Sequence, residues 1–387
     1  MALPHKLSTL PPLSLYIHIP WCVKKCPYCD FNSHSVRDEI PEARYVEALS
    51  RDLESALPLI WGRRIHSIFF GGGTPSLFSA TAIDQILATV RSLTQLAFFA
   101  EVTLEANPGT VEATKFRDFK AAGINRLSLG IQSFNSTHLL ALGRIHDAQE
   151  AHRAIEIAAT YFDNYNLDLM YALPNQTLAQ ARLDLSAALD YKPPHLSCYH
   201  LTLEPNTPFH YHPPDLPDDD LSADMQIMIE DSLAPLGYQH YETSAFAQPR
   251  QKSRHNLNYW QFGDYLGIGA GAHSKLSFHD HIIRQMRHKH PREYMMHALI
   301  GNPVQTENTL AASALGFEFM MNALRLTDGF NISLFNDTTG LPITAIQPML
   351  AQAEQRGLIS RDHLRIAPTP LGQRFLNDLL EIFLPAP

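Results

Sequence analysis

Three of the chain's four cysteines fall within eight positions, as Cys22-Val-Lys-Lys-Cys26-Pro-Tyr-Cys29. Thiolates spaced C-x3-C-x2-C can wrap one face of a cubic iron–sulfur cluster and leave its fourth iron open to a small molecule. The same spacing admits zinc held by the three thiolates and either His18 or His34. A disulfide with a spare thiol fits poorly: the N-terminus has no clean apolar signal core, so the expected location is the reducing cytoplasm. The remaining cysteine, Cys198, lies inside an expected strand and reads as a small buried apolar side chain. The run Gly71-Gly72-Gly73-Thr74-Pro75 offers bare backbone for close approach to a ligand. Glu105, Gln132 and Asp168 place two carboxylates and an amide on expected strands.

Such groups act together only if a frame gathers them. Strands are expected over 13–19, 65–70, 101–107, 126–132, 165–171 and 196–203, with helix-length segments between. Over 147–162, for example, Ala148, Ala151, Ile155, Ala158 and Phe162 recur at helical spacing. Six βα units in series imply a parallel sheet with right-handed crossovers. One face of the strands is polar, with Tyr16 and His18, Thr103 and Glu105, Ser128 and Gln132, Asn166 and Asp168. The other carries Leu15 and Ile17, Val102 and Leu104, Leu127 and Leu129, Leu167 and Leu169. A doubly wound sheet, covered on both faces by apolar helices, has no place for the polar set. A polar lumen inside an apolar wall does, so the expected class is α/β with a partial (β/α)6-type barrel. In such barrels the loops after the strands carry the chemistry. Here the cysteines follow strand one, the glycines follow strand two, Glu105 lies in strand three and Gln132 ends strand four.

At 387 residues the chain has length for two to three domains. We expect a core barrel over 1–215, a middle segment over 216–304 packed on it, and a mainly helical, winged-helix-like domain over 305–387. Within the last, helices are expected over 308–325 and 343–356. The Pro- and Asp-rich stretch 205–220 marks a crossing at the surface. Lys+Arg number 30 against 39 Asp+Glu, a net charge of -9. Residues 301–387 hold no lysine, and five arginines face eight acidic residues. That balance argues against nucleic acid as a partner, even for a winged-helix-like module. No run of about 18 apolar residues occurs, so no membrane span is expected, and peripheral membrane contact stays open.

The segments YIHIPWCVKKCPYCDF, GGGTPS, LEANPG, GIQSF, GRIH, DLMYALPNQT, HNLNYW and GIGAGAHS run through nearly the whole chain. In combination they resemble radical S-adenosylmethionine proteins of the oxygen-independent coproporphyrinogen III oxidase-like family. The resemblance implies that Cys22, Cys26 and Cys29 hold a [4Fe-4S] cluster whose free iron takes the amino and carboxylate groups of S-adenosylmethionine. It assigns contacts with that cofactor to Tyr16, Gly72, Gly73, Thr74, Glu105, Gln132, Arg144 and Asp168. Their chemistry agrees: Glu105 and Asp168 suit an ammonium or ribose hydroxyls, and the fork of Arg144 suits a carboxylate. The family reaction draws an electron from the cluster to cleave the sulfonium, giving a 5′-deoxyadenosyl radical in a closed barrel.

The oxidases of this family carry a further cysteine two positions after the third, where this chain has Phe31, and a longer N-terminal arm. These departures and the HNLNYW segment resemble the HemW-type haem chaperone subgroup, which implies a carrier rather than an enzyme, with no catalytic residue of its own. Its cargo would be haem, its partners an acceptor haemoprotein and a reductant for the cluster; coproporphyrinogen oxidation is the alternative. Haem needs an axial ligand. His255 in HNLNYW is the first candidate and His273 beside the glycine turn the second. His279, His281, His288 and His290 lie among Arg284, Arg287 and Lys289, which could pair with propionates.

Overall fold

A computed structural model describes residues 6–36, 39–110 and 112–385. Six parallel strands lie side by side in sequence order: β1 (Leu13–Ile19), β2 (Arg64–Gly72), β3 (Gln95–Ala106), β4 (Arg126–Gln132), β5 (Tyr165–Tyr171) and β6 (His195–His200). Between them run α1 (Glu42–Ala56), α2 (Ala80–Leu93), α3 (Ala113–Ala122), α4 (Ala148–Tyr161) and α5 (Leu178–Leu189), and α6 (Asp219–Leu233) follows β6. The helices start where side chains satisfy the free amides of the first turn. Asp147 with Glu150 and Thr177 with Gln180 form capping boxes at α4 and α5. Leu15, Ile17, Leu104, Leu127, Leu129 and Leu167 are buried in one core with the apolar faces of α1 to α5.

The segment after α6 divides between the two edges of this sheet. A hairpin, Gln239–Glu242 with Ala245–Ala247, pairs antiparallel with β6. On the opposite edge Asp264–Ile268 pairs parallel with β1, and His273–Ser277, Ile282–Arg287 and Val304–Thr309 continue antiparallel to make twelve strands. Buried ion pairs lock this edge. Asp52 of α1 meets Arg287 at 3.2 Å, and Asp264 meets Lys275 at 2.9 Å and Arg63 at 2.8 Å. The two outermost strands are not hydrogen-bonded to one another among the described residues, so the sheet is an open, partial barrel.

The C-terminal region has its own core around Phe319, Phe330 and Phe335, into which Phe262 and Ile282 also reach. Helices Leu315–Ala323, Ile332–Thr339 and Gln347–Gln355 precede a hairpin, Ile359–Arg361 with Arg365–Pro368, in a winged-helix-like order. One expectation needs correction: a helix does not begin at 308. Residues Val304–Thr309 form the edge strand, because the backbone of Ile282–Arg287 supplies hydrogen-bond partners that outweigh local preference.

Candidate functional site

The cysteine loop leaves the end of β1 and is clasped at its base. Trp21–Cys22 pairs parallel with His34–Ser35, so the loop starts and ends at one place. The glycine segment lies against it: the Gly73 N–H donates to the Ile19 carbonyl at 2.8 Å and the Thr74 N–H to the Trp21 carbonyl at 2.7 Å. A Cβ on Gly73 would stand 2.5 Å from the Trp21 oxygen, and one on Gly72, at φ +112°, 2.5 Å from the His18 ring. These glycines are therefore required by the packing of protein on protein, in addition to any approach to a ligand.

Cys22, Cys26 and Cys29 are free, half-buried thiols on the wall of a cavity of about 400 Å³. Burial pushes the Cys22 and Cys29 thiols upward, so loading a metal there must displace protons. The same cavity takes Gly72, Glu105, Ser128, Asp168 and Tyr199 from five successive strands, which a flat sheet could not supply. Gln132 and Arg144 line it as well. Gln132 has φ +66°, a left-handed conformation rare outside glycine, at the end of β4.

Each polar residue is held by a specific partner. Glu105 Oε2 accepts the Gly72 N–H at 3.2 Å. Burial, then the nearby Asp168, drives the Glu105 carboxyl up to about 8. Asp168 is raised by burial, against hydrogen bonds from Ser128 Oγ at 2.9 Å and Asn166 Nδ2 at 2.8 Å. A cation bound beside the pair would favour their ionised forms. Arg144 donates to the Gly130 carbonyl at 2.7 Å and approaches Cys26 Sγ at 3.8 Å, which leaves it bordering both the thiolates and the cavity.

The donor set suits a cluster better than zinc. His18, a potential fourth zinc ligand, has both ring nitrogens engaged: Nδ1 with Tyr16 Oη at 3.1 Å and Nε2 with the Asn32 carbonyl at 2.9 Å. His34 Nε2 is enclosed and has no hydrogen-bond partner among the described residues. Three thiols on one loop beside a cavity lined by carboxylates and a guanidinium fit a [4Fe-4S] cluster with S-adenosylmethionine on its open iron.

Tyr16 stands apart from the other expected contacts. Its ring borders a second cavity, of about 540 Å³, on the other side of the cysteine loop. His273 borders that second cavity too, whereas His255 reaches neither. His255 is 2% exposed, bonded through Nδ1 to Ser67 Oγ at 3.0 Å and stacked on Phe69, with Nε2 sealed from solvent. Cys198 is buried in β6, as expected.

Two contributions went unseen in the sequence. Tyr28, between the second and third cysteines, lines the first cavity; its place inside the cysteine spacing was the available signal. His146 joins Asn107 Oδ1 at 3.2 Å to the Ile131 carbonyl at 3.1 Å, bracing the ends of β3 and β4. Burial lowers it to about 4, so it is neutral. A buried chain of Asn166, His195 and Tyr241 also supports Asp168 from beneath, with contacts of 2.7 and 2.8 Å.

A partial barrel with a three-cysteine loop at its C-terminal rim defines a radical S-adenosylmethionine protein, and residues 16–185 match the Radical SAM superfamily while 310–375 match the HemN C-terminal domain. The fold resembles coproporphyrinogen III oxidase (HemN) from Escherichia coli, with a TM-score of 0.82 at 24% identity over 97% of this chain and 90% of that one. Identity is higher with "Heme chaperone HemW" of E. coli, 48% over 97% of this chain and 99% of the relative. It is also 48% with the Haemophilus influenzae protein of that name, over 98% and 99%. The chain belongs to the HemW heme chaperone family.

Proposed function

We propose that the protein binds haem and passes it to apo-haemoproteins, acting in the cytoplasm from a scaffold that carries a [4Fe-4S] cluster and S-adenosylmethionine. Full-length identity of 48% to heme chaperones carries this proposal. The departure at Phe31 supports it, because an exposed ring stands where the oxidases place a further thiol. The chain's own residues divide the work at the first cavity. Cys22, Cys26 and Cys29 would hold the cluster, Arg144 the carboxylate of S-adenosylmethionine, and Glu105 and Asp168 its ammonium and ribose. Gly72, Gly73, Thr74 and Gln132 would complete its surroundings. The cluster when bound supplies one-electron chemistry at the sulfonium; the barrel orients the cofactor and excludes water.

Anaerobic reconstitution followed by two parallel assays tests the proposal. We expect haem to bind with defined stoichiometry and move to an apo-haemoprotein, and coproporphyrinogen III to remain unchanged. Turnover to protoporphyrinogen without haem transfer would establish the oxidase reading instead. A Cys22→Ser/Cys26→Ser/Cys29→Ser variant, which should lose the cluster, is the control.

A further inference from the structure

We propose that the second cavity, across the cysteine loop from the cofactor site, is the haem site, with His273 as axial ligand and Lys25 and Lys289 as partners for the propionates. This assignment rests on haem being the cargo.

The cavity has a volume of about 540 Å³ and is open to solvent, as a site that must hand on its contents needs to be. Aromatic rings form part of its wall, beside the polar side chains of Asp30, Asn32 and Ser33. Tyr16 comes from β1, Tyr259 from the HNLNYW helix and Tyr265 from the following strand, with the last two rings 4.4 Å apart. Phe31, 62% exposed, borders both cavities and presents a ring where a flat macrocycle would meet the cysteine loop. The segment that sets this family apart from the oxidase is thereby brought to the cavity through Tyr259, while its histidine stays inside the barrel.

Three imidazoles border the space, and two are not available. His18 has both nitrogens engaged, and His34 Nε2 is enclosed within the protein. His273 is exposed, and neither of its ring nitrogens has a hydrogen-bond partner among the described residues. Burial of part of the ring and the nearby Lys289 and Arg284 lower its pKa. The GIGAGAHS turn fixes its position. Gly269 and Gly271 have φ of +104° and +75°, and a Cβ on Gly267 would lie 2.1 Å from the His273 carbonyl. Asn32 Nδ2 ties the cysteine loop to this turn, donating to the carbonyls of Ala270 at 2.9 Å and Lys289 at 2.8 Å. Two cations stand at the cavity: Lys25, whose Nζ is bonded to the neutral Phe31 carbonyl at 3.0 Å, and Lys289. Two propionates need such a pair.

Haem titration of the full-length, cluster-loaded protein, followed by its Soret band and by electron paramagnetic resonance, tests the assignment. His273→Ala should weaken haem binding at least tenfold and abolish the histidine-ligated signature. His273→Cys should retain haem with a displaced Soret band, and it decides the matter where the alanine variant fails to fold. Lys25→Ala/Lys289→Ala should weaken binding several-fold without altering the ligand signature. His255→Ala, checked for fold by circular dichroism, should keep the parent spectrum. Parent-like spectra and affinity in both His273 variants, or loss of the signature in folded His255→Ala alone, would overturn the site. Failure of the parent protein to bind haem at all would instead overturn the function on which the site rests.

Discussion

Replacing Glu105 with glutamine should stabilise the protein and harm its cofactor site at the same time. Burial and the neighbouring Asp168 drive the Glu105 carboxyl from 4.5 up to about 8. A folded-state pKa above the unfolded one means that between those values the unfolded chain has released a proton which the folded chain still holds. Raising pH through that window therefore lowers stability, and outside it the group adds no further pH dependence. At 1.36 kcal/mol per unit, the two and a half units between the ordinary value and pH 7 amount to about 3 kcal/mol. Glutamine keeps the shape, cannot ionise, and its oxygen can still accept the Gly72 N–H now bonded at 3.2 Å. Urea denaturation of cluster-free Glu105→Gln and parent protein from pH 5 to pH 8.5 reads the difference directly. The variant should match the parent near pH 4.5 and gain roughly 1.4 kcal/mol per pH unit, levelling off above pH 8. Its affinity for S-adenosylmethionine should fall, because a neutral amide cannot neutralise an ammonium. A stability difference independent of pH, or a variant less stable than the parent at pH 7, would refute the claim that the buried carboxyl is strained.

Further outcomes follow from particular contacts. Gly73→Ala places a Cβ 2.5 Å from the Trp21 carbonyl; it should destabilise by about 1–3 kcal/mol and reduce iron and sulfide bound per chain after reconstitution. Asn166→Ala removes donors to Ser128 and Asp168 and an acceptor for His195. It should destabilise by about 1–3 kcal/mol and weaken S-adenosylmethionine binding measured by calorimetry. Cys198→Ala should leave iron content and cluster absorbance unchanged at a stability loss of about 1 kcal/mol, in contrast to serine at Cys22, Cys26 or Cys29. Affinity for S-adenosylmethionine should rise with pH up to about 8, where Glu105 ionises; an affinity flat across that range would remove Glu105 from the ammonium.

The sequence by itself determined the features that depend on neighbours in the chain. Strand alternation has a period of two, so the polar and apolar faces of β1, β4 and β5 and their bounds were legible residue by residue. The cysteine spacing is likewise local, and it carried the cluster. What only the tertiary structure decided are pairings between distant segments. Nothing near His255 in the chain says that Ser67 and Phe69 will enclose it, and nothing near His273 says that Lys289 and the cysteine loop will leave it exposed beside a cavity. The strand Val304–Thr309 was misjudged for the same reason, since its partner strand lies outside the window that periodicity reads. Two histidines thus part ways through burial: one is sealed in the barrel by its neighbours, the other is held at the surface by a glycine turn.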